Sequence, residues 1–191
     1  MKTAYLNLAL ISLLLFNCQG LSAKTYLSQD EFVYHVTEQL NRNQTNQPVV
    51  FNKKALWLKS DLQKQIKILL GHPYPKIRIT YRWSKIDTRL VSIWFLDEIG
   101  KERPISFAIW VQDNKVQQMR VLAFRESRGG EIAMPAFEQQ FDANFLNQDG
   151  FFDNQIDGIT GATLSVRAMK KMAKLAIMLH QWQAKKEKII E

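Results

Sequence analysis

The sequence predicts an α+β protein: an antiparallel sheet of about four strands with helices packed against it, helices on the N-terminal side and a long C-terminal helix. Three observations carry this. Between residues 76 and 124 the apolar residues recur every second position, the rhythm of half-buried strands. On both sides of that stretch the spacing changes to three and four, the rhythm of helices with one buried face. The 191 residues are 46% hydrophobic and 23% charged, enough apolar material for a packed core.

The elements follow in order. Residues 28–41, "SQDEFVYHVTEQLN", place Ser28 three positions before Glu31, a capping-box pattern, with Phe32, Val36 and Leu40 at helical spacing. A second helix is expected over Lys54 to Leu70, with Leu58, Leu62, Ile66 and Leu69 on one side and Gly71 at its end. "HPYP" then forces an extended path, because each proline restricts the residue before it. "KIRITYRW" alternates Ile77, Ile79, Tyr81 and Trp83 with Arg78, Thr80 and Arg82. "LVSIWFLDEIG" and "PISFAIWVQDNKVQQMRVLAF" continue the meander, with a tight turn at "QDNK", Gln112–Lys115. Residues 135–146 read as helical, with Phe137, Phe141 and Phe145 four apart. From Thr163 to about Lys185 a last helix turns Val166, Met169, Met172, Ala173, Ala176 and Leu179 inward and its lysines outward.

The first residues have the layout of a secretory signal: Lys2, an apolar run from Ala4 to Phe16, and small residues before Lys24. The run is short for a membrane span. Cleavage after Ala23 is expected, dividing the chain into a signal peptide (1–23), an N-terminal helical segment with the first strand (24–85) and a second unit (86–191). Cys18 offers another reading, as the lipid-modified first residue of a lipoprotein, but bulky Leu15, Phe16 and Asn17 precede it. Cleavage after Ala23 would remove the one cysteine of the chain, and with it thiol catalysis and thiolate metal ligation.

The formal net charge is +8. In an exported protein this reads as attraction to anionic membrane surfaces or acidic partners. No zinc pattern, RNA-binding signature or helix-turn-helix supports a nucleic-acid partner. His35, His72 and His180 are far apart and lack metal-ligand spacing; His35 and His180 read as helix-surface residues and His72 as part of a turn. G-x-S-x-G, Walker and G-x-G-x-x-G motifs do not occur.

Two loops hold the candidate chemistry. In "FRESRGGEIAMP", residues 124–135, Glu126 and Arg128 stand beside Gly129-Gly130, either as a solvated connection or as a ligand loop with an arginine for an anion. In "IDGITGATLSV", residues 156–166, Asp157, Thr160, Thr163 and Ser165 crowd one helix start, while Gly161 and Ala162 leave its backbone clear. A cap needs a single oxygen. The surplus suits a helix N-terminus receiving a phosphate.

Asp157-Gly158-Ile159-Thr160-Gly161-Ala162-Thr163 resembles the flavinylation motif of the FMN-binding domain family, D-G-x-[ST]-G-A-T. That family includes flavin subunits of the sodium-pumping NADH:quinone reductase and of the Rnf complex. The similarity covers about residues 90–184, including the glutamate-and-glycine loop and "FEQQF". The resemblance implies an FMN joined through its phosphate to Thr163 by a flavin transferase after export. Asp157, Gly158, Thr160, Gly161 and Ala162 would shape the seat, and Glu126, Arg128, Gly129 and Gly130 would lie against the flavin. Arg128 or Arg167 would meet the phosphate. Trp94 and Trp110 read as core residues first and flavin-stacking residues second.

This chain departs from the family at the loop, Glu126-Ser127-Arg128-Gly129-Gly130-Glu131, where the large-complex members carry a sequence resembling E-T-P-G-L-G. The implied function is an exported, periplasmic and membrane-associated electron carrier working between redox donor and acceptor proteins, rather than a stand-alone enzyme. The alternative is a non-catalytic module that holds FMN reversibly or not at all; a flavin reductase is a third reading, without a dinucleotide motif to support it.

Overall fold

The computed structural model describes residues 23–44 and 48–190; the signal segment and Cys18 lie outside the described residues. The elements are β1 (Lys24–Thr25), α1 (Gln29–Gln44), β2 (Asn52–Trp57), α2 (Ser60–Leu70), β3 (Arg78–Ile86), β4 (Arg89–Ile99), β5 (Pro104–Gln112), β6 (Lys115–Phe124), the short α3 (Pro135–Glu138), β7 (Asn144–Phe145) and α4 (Thr163–Ile190). One antiparallel sheet runs β1-β6-β5-β4-β3-β2, with β7 also pairing β6. The expected meander is its centre, β3 to β6. The strand count is higher than the four expected, because short strands at both edges extend it.

Alternation sorts the strand side chains onto two faces, and each face has its own core. Ile93, Phe95, Ala108, Trp110 and Leu122 meet Phe32, Val36 and Leu40 of α1. Trp94, Leu96, Phe107, Ile109 and Val121 point the other way and meet α2 and α4. The inward stripe of α4 is as expected: Val166 is 5% exposed, and Met169, Met172, Ala173, Ala176 and Leu179 are fully buried. Both tryptophans at issue are core residues. Trp94 stacks on Tyr81 at 4.4 Å between ring centroids, and Trp110 lies in the α1 layer.

Local chemistry sets the boundaries. The capping box forms: the Ser28 amide donates to Glu31 Oε2 at 2.7 Å, and the Glu31 amide to Ser28 Oγ at 3.2 Å. Gly71 ends α2 at φ +79, its N–H bonded to the Lys67 carbonyl. Asp113 and Asn114 both take positive φ, 53 and 59, in the two-residue hairpin loop between β5 and β6.

Two expected helices are corrected. Lys54–Leu70 is a strand followed by a helix: residues 52–57 pair with β3, Asn52 opposite Trp83 through Trp57 opposite Arg78, and helix begins only at Ser60. Leu56 and Leu58 feed the same core as Leu62 and Ile66, so an edge strand leading into a helix imitates one helical stripe. Residues 135–146 are a turn of α-helix, a 3₁₀ turn over Gln139–Phe141 and then β7. Ala143 at φ +56 breaks the helical path and turns Phe145 into the sheet.

Candidate functional site

The two loops singled out in the sequence meet. Residues 125–135 leave the end of β6, residues 157–162 lead into α4, and an open groove of about 750 Å³ lies between them. Its walls include Glu126, Arg128, Gly129, Gly130, Thr160 and Gly161. The volume falls within the roughly 300–1,000 Å³ typical of small-molecule sites.

Gly129 is the contact between the loops. Its φ is +87, and a Cβ there would stand 3.0 Å from Ser165 Oγ and 3.1 Å from Ala162 Cβ. Only a residue without a side chain brings this loop so close to the first turn of α4. Ala162, buried to 3%, fills the other side of the contact.

The motif itself is a turn and a helix start. The Ala162 amide donates to the Ile159 carbonyl at 3.0 Å, closing a four-residue turn whose third position is Gly161 at φ +81. A turn with positive φ at that position favours glycine. The Ala162 carbonyl then accepts from the Val166 amide at 3.0 Å, so Thr163 is the first residue inside the helix. The amides of Thr163, Leu164 and Ser165 have no intrahelical acceptor, as at any helix start. Among the described residues neither the Thr160 nor the Thr163 hydroxyl forms a capping hydrogen bond. Thr163 is exposed, with its hydroxyl left for other use.

Asp157 and Gly158 are exposed, and the start of the motif is held from outside. The Asp157 amide donates to Gln140 Oε1 at 2.7 Å, Ile156 is buried in the core, and Lys170 Nζ donates to the Ile156 carbonyl at 2.8 Å. Farther back, fully buried Asn144 brackets residue 154: its Nδ2 donates to the Asn154 carbonyl at 3.0 Å, and its Oδ1 accepts from the Asn154 amide at 3.2 Å.

Glu126 lines the groove but its carboxylate is committed elsewhere. One oxygen, Oε1, accepts from the amides of Lys101, Glu102 and Arg103 at 2.6, 2.7 and 2.9 Å. Partial desolvation pushes this carboxyl up. The three amides and the Lys101 charge outweigh that and hold it below the usual carboxylate range. Glu126 therefore pins the loop to the β4–β5 connection. Arg125 reinforces it, donating to the Pro104 carbonyl and to Ser106 Oγ. Arg128 is exposed on the groove wall. Arg167 lies one helical turn past Thr163 and lines a different groove, with Lys170, Lys171 and Lys174.

Several wall residues were not foreseen. Lys24 and Tyr26, from the N-terminal edge, and Met134 also line the groove. Lys24 Nζ sits 4.7 Å above the centroid of the Tyr26 ring. A two-residue strand has no periodicity to read, so nothing in the sequence announced β1. Met134 at 57% and Tyr26 at 36% exposure place apolar and aromatic surface at the rim. His180 corrects an expectation: it is 3% exposed, not on the helix surface, and its Nδ1 pairs with Ser92 Oγ at 2.7 Å. Among the described residues no group of three His, Cys, Asp or Glu is placed to hold a metal ion.

Residues 100–178 match the FMN-binding domain. The match spans both loops and the first half of α4, whereas β1 and Tyr26 lie outside it. No curated protein matches the chain. Among solved structures it has a distant likeness to one subunit of the Na⁺-translocating NADH-quinone reductase from Parabacteroides distasonis, with a TM-score of 0.46 and 15% identity, over 78% of this chain and 93% of that one.

Proposed function

We propose that the protein is an exported electron-transfer flavoprotein that carries FMN joined by a phosphoester to Thr163. The observation that carries this reading is the meeting at one groove of two loops that both fall within the matched segment, with Thr163 exposed at the start of a 28-residue helix. The residues present fit the group. Unpartnered amides and the positive end of the helix dipole suit a phosphate, and Arg128 adds a positive charge at the wall. The rim of Tyr26 and Met134 suits a flat aromatic ring.

The residues divide the work. Gly161 makes the turn that aims the helix start, Ala162 and Gly129 seat it against the loop, and Glu126 fixes the loop through the β4–β5 connection. When bound, the flavin supplies one- and two-electron chemistry, and the protein holds and tunes it. A covalent tether suits a compartment where a dissociated cofactor is lost by dilution. Maturation then requires a flavin transferase, and turnover requires separate redox donor and acceptor proteins.

The test is co-expression with a flavin transferase and an export system, followed by mass spectrometry. An FMN adduct on the Thr163 peptide is expected, and an unmodified Thr163 peptide refutes the linkage. Thr163→Ala should lose the flavin that stays with the acid-precipitated protein while keeping the wild-type unfolding midpoint. Flavin that appears in the acid supernatant instead supports the reversible-binding module.

A further inference from the structure

A second groove, of about 480 Å³, lies along the outer side of α4, lined by Arg167, Lys170, Lys171 and Lys174 with Phe151 and Leu69 among its apolar neighbours. Asp153 is the acidic residue on its wall. Lys171 also reaches buried Glu98 at 3.7 Å, which accounts for one of the four cations. Among the described residues the others have no carboxylate partner. Lys170 and Lys174 donate to the backbone carbonyls of Ile156 and Gly150, neutral groups that fix the ammoniums in place and leave their charge standing. Burial first, and the Lys170 charge second, hold Lys174 below the ordinary lysine range.

The pattern is linear. At 3.6 residues per turn, positions 167, 170, 171, 174 and 185 fall within about a third of the helix circumference and extend about 27 Å along its axis. Lys185 is exposed. Four of these cations fall within about 10 Å and Lys185 lies about 16 Å beyond them, with Met178 and Gln181 between, a spread that several separate anionic groups meet better than one small anion. Apolar side chains project beside it. Phe151 is 65% exposed with Lys174 Nζ 5.4 Å from its ring centroid, and Ile68, next to Leu69, is 82% exposed. Cations with long stems interleaved with exposed aromatic and aliphatic groups are the composition of surfaces that seat in the headgroup layer of a bilayer.

We infer that the Arg167–Lys174 groove and the exposed Phe151 form a peripheral docking face for an anionic lipid bilayer. No described helix is long and apolar enough to cross a membrane. Arg167 is one turn from Thr163, so docking holds the start of α4 close to the lipid headgroups. This inference is independent of the flavin assignment.

The test is sedimentation of the full chain with phosphatidylcholine vesicles and with the same vesicles carrying phosphatidylglycerol. Stronger, salt-sensitive binding is expected when phosphatidylglycerol is present. Arg167→Glu should weaken that binding more than fivefold, since each positive charge at such a surface is worth about a factor of five. Phe151→Ser should weaken it without changing its salt dependence. Arg42→Glu, an equal charge change on α1 across the sheet, is the control, and unfolding midpoints show whether each variant is folded. Equal loss in Arg167→Glu and Arg42→Glu overturns the inference, because net charge alone then explains it. So does retention on immobilised polyglutamate without vesicle binding, which would assign the face to an acidic protein.

Discussion

Gly129 and Ala162 touch across the floor of the candidate site: a Cβ on Gly129 would stand 3.1 Å from the Ala162 methyl. Far apart in the chain, they bring the strand-end loop and the helix start together. Gly129→Ala forces a side chain into both a left-handed backbone and an occupied space. A loss of about 1–3 kcal/mol is expected in denaturant unfolding, together with reduced flavin loading. An unchanged midpoint would show that the loop can move away without cost.

Glu126 offers a test that separates holding the loop from touching a ligand. With its pKa below the unfolded value, its contribution is complete above the unfolded pKa and is lost as pH falls through the folded one. Glu126→Gln should therefore lower the unfolding midpoint at neutral pH and converge with wild type in acid. A constant difference across that range means that the carboxylate charge is not what the three amides recognise.

Histidine 180 should make the fold acid-sensitive at a higher pH. Burial pushes its pKa down to about 4, so it is neutral in the folded state. Its contribution is complete above about 6.5 and is lost as pH falls toward 4, with a total on the order of 3 kcal/mol. Glu138 acts in the opposite direction. Burial raises it to about 7, so its contribution is complete below about 4.5 and lost as pH rises through 7. His180→Gln should flatten the difference between pH 4 and 6.5 while leaving the Glu138 limb intact. Midpoints measured against pH for both proteins check this.

Asn144 should govern the order of residues 147–157, a strap that leads into the motif. Asn144→Ala removes the bonds to Asn154 and the one to the Gln140 carbonyl, at a cost of about 1–3 kcal/mol. Faster amide exchange confined to residues 147–157 is expected. Uniformly faster exchange throughout the chain would mean that Asn144 serves overall stability rather than the strap.

What the sequence made legible follows from which signals are local. The meander of β3 to β6 was readable because each strand alternates and the Asp113-Asn114 loop has its own turn chemistry. The strand at residues 52–57 was not, because its partner, Arg78–Trp83, lies beyond an intervening helix. The phenylalanines at 137, 141 and 145 misled because spacing by four carries no information about the positive φ at Ala143 between them. His180 was legible in principle: it falls four residues after Ala176, on the inward stripe. At the site, Gly129, Gly161 and Ala162 stood out through their small size. Tyr26 and Asn144 act through contacts with residues well removed in the chain, and no local pattern marks such positions.

Strand β1 pairs Lys24 with Phe124, and the loop that leaves Phe124 rests on the start of α4. Segments made early, midway and late in synthesis thus share one small groove. Non-local closures of this kind come late in folding. The groove is therefore a proof of completion: a truncated, stalled or misregistered chain lacks one of its walls, so a maturation step that recognises it would act only on finished molecules.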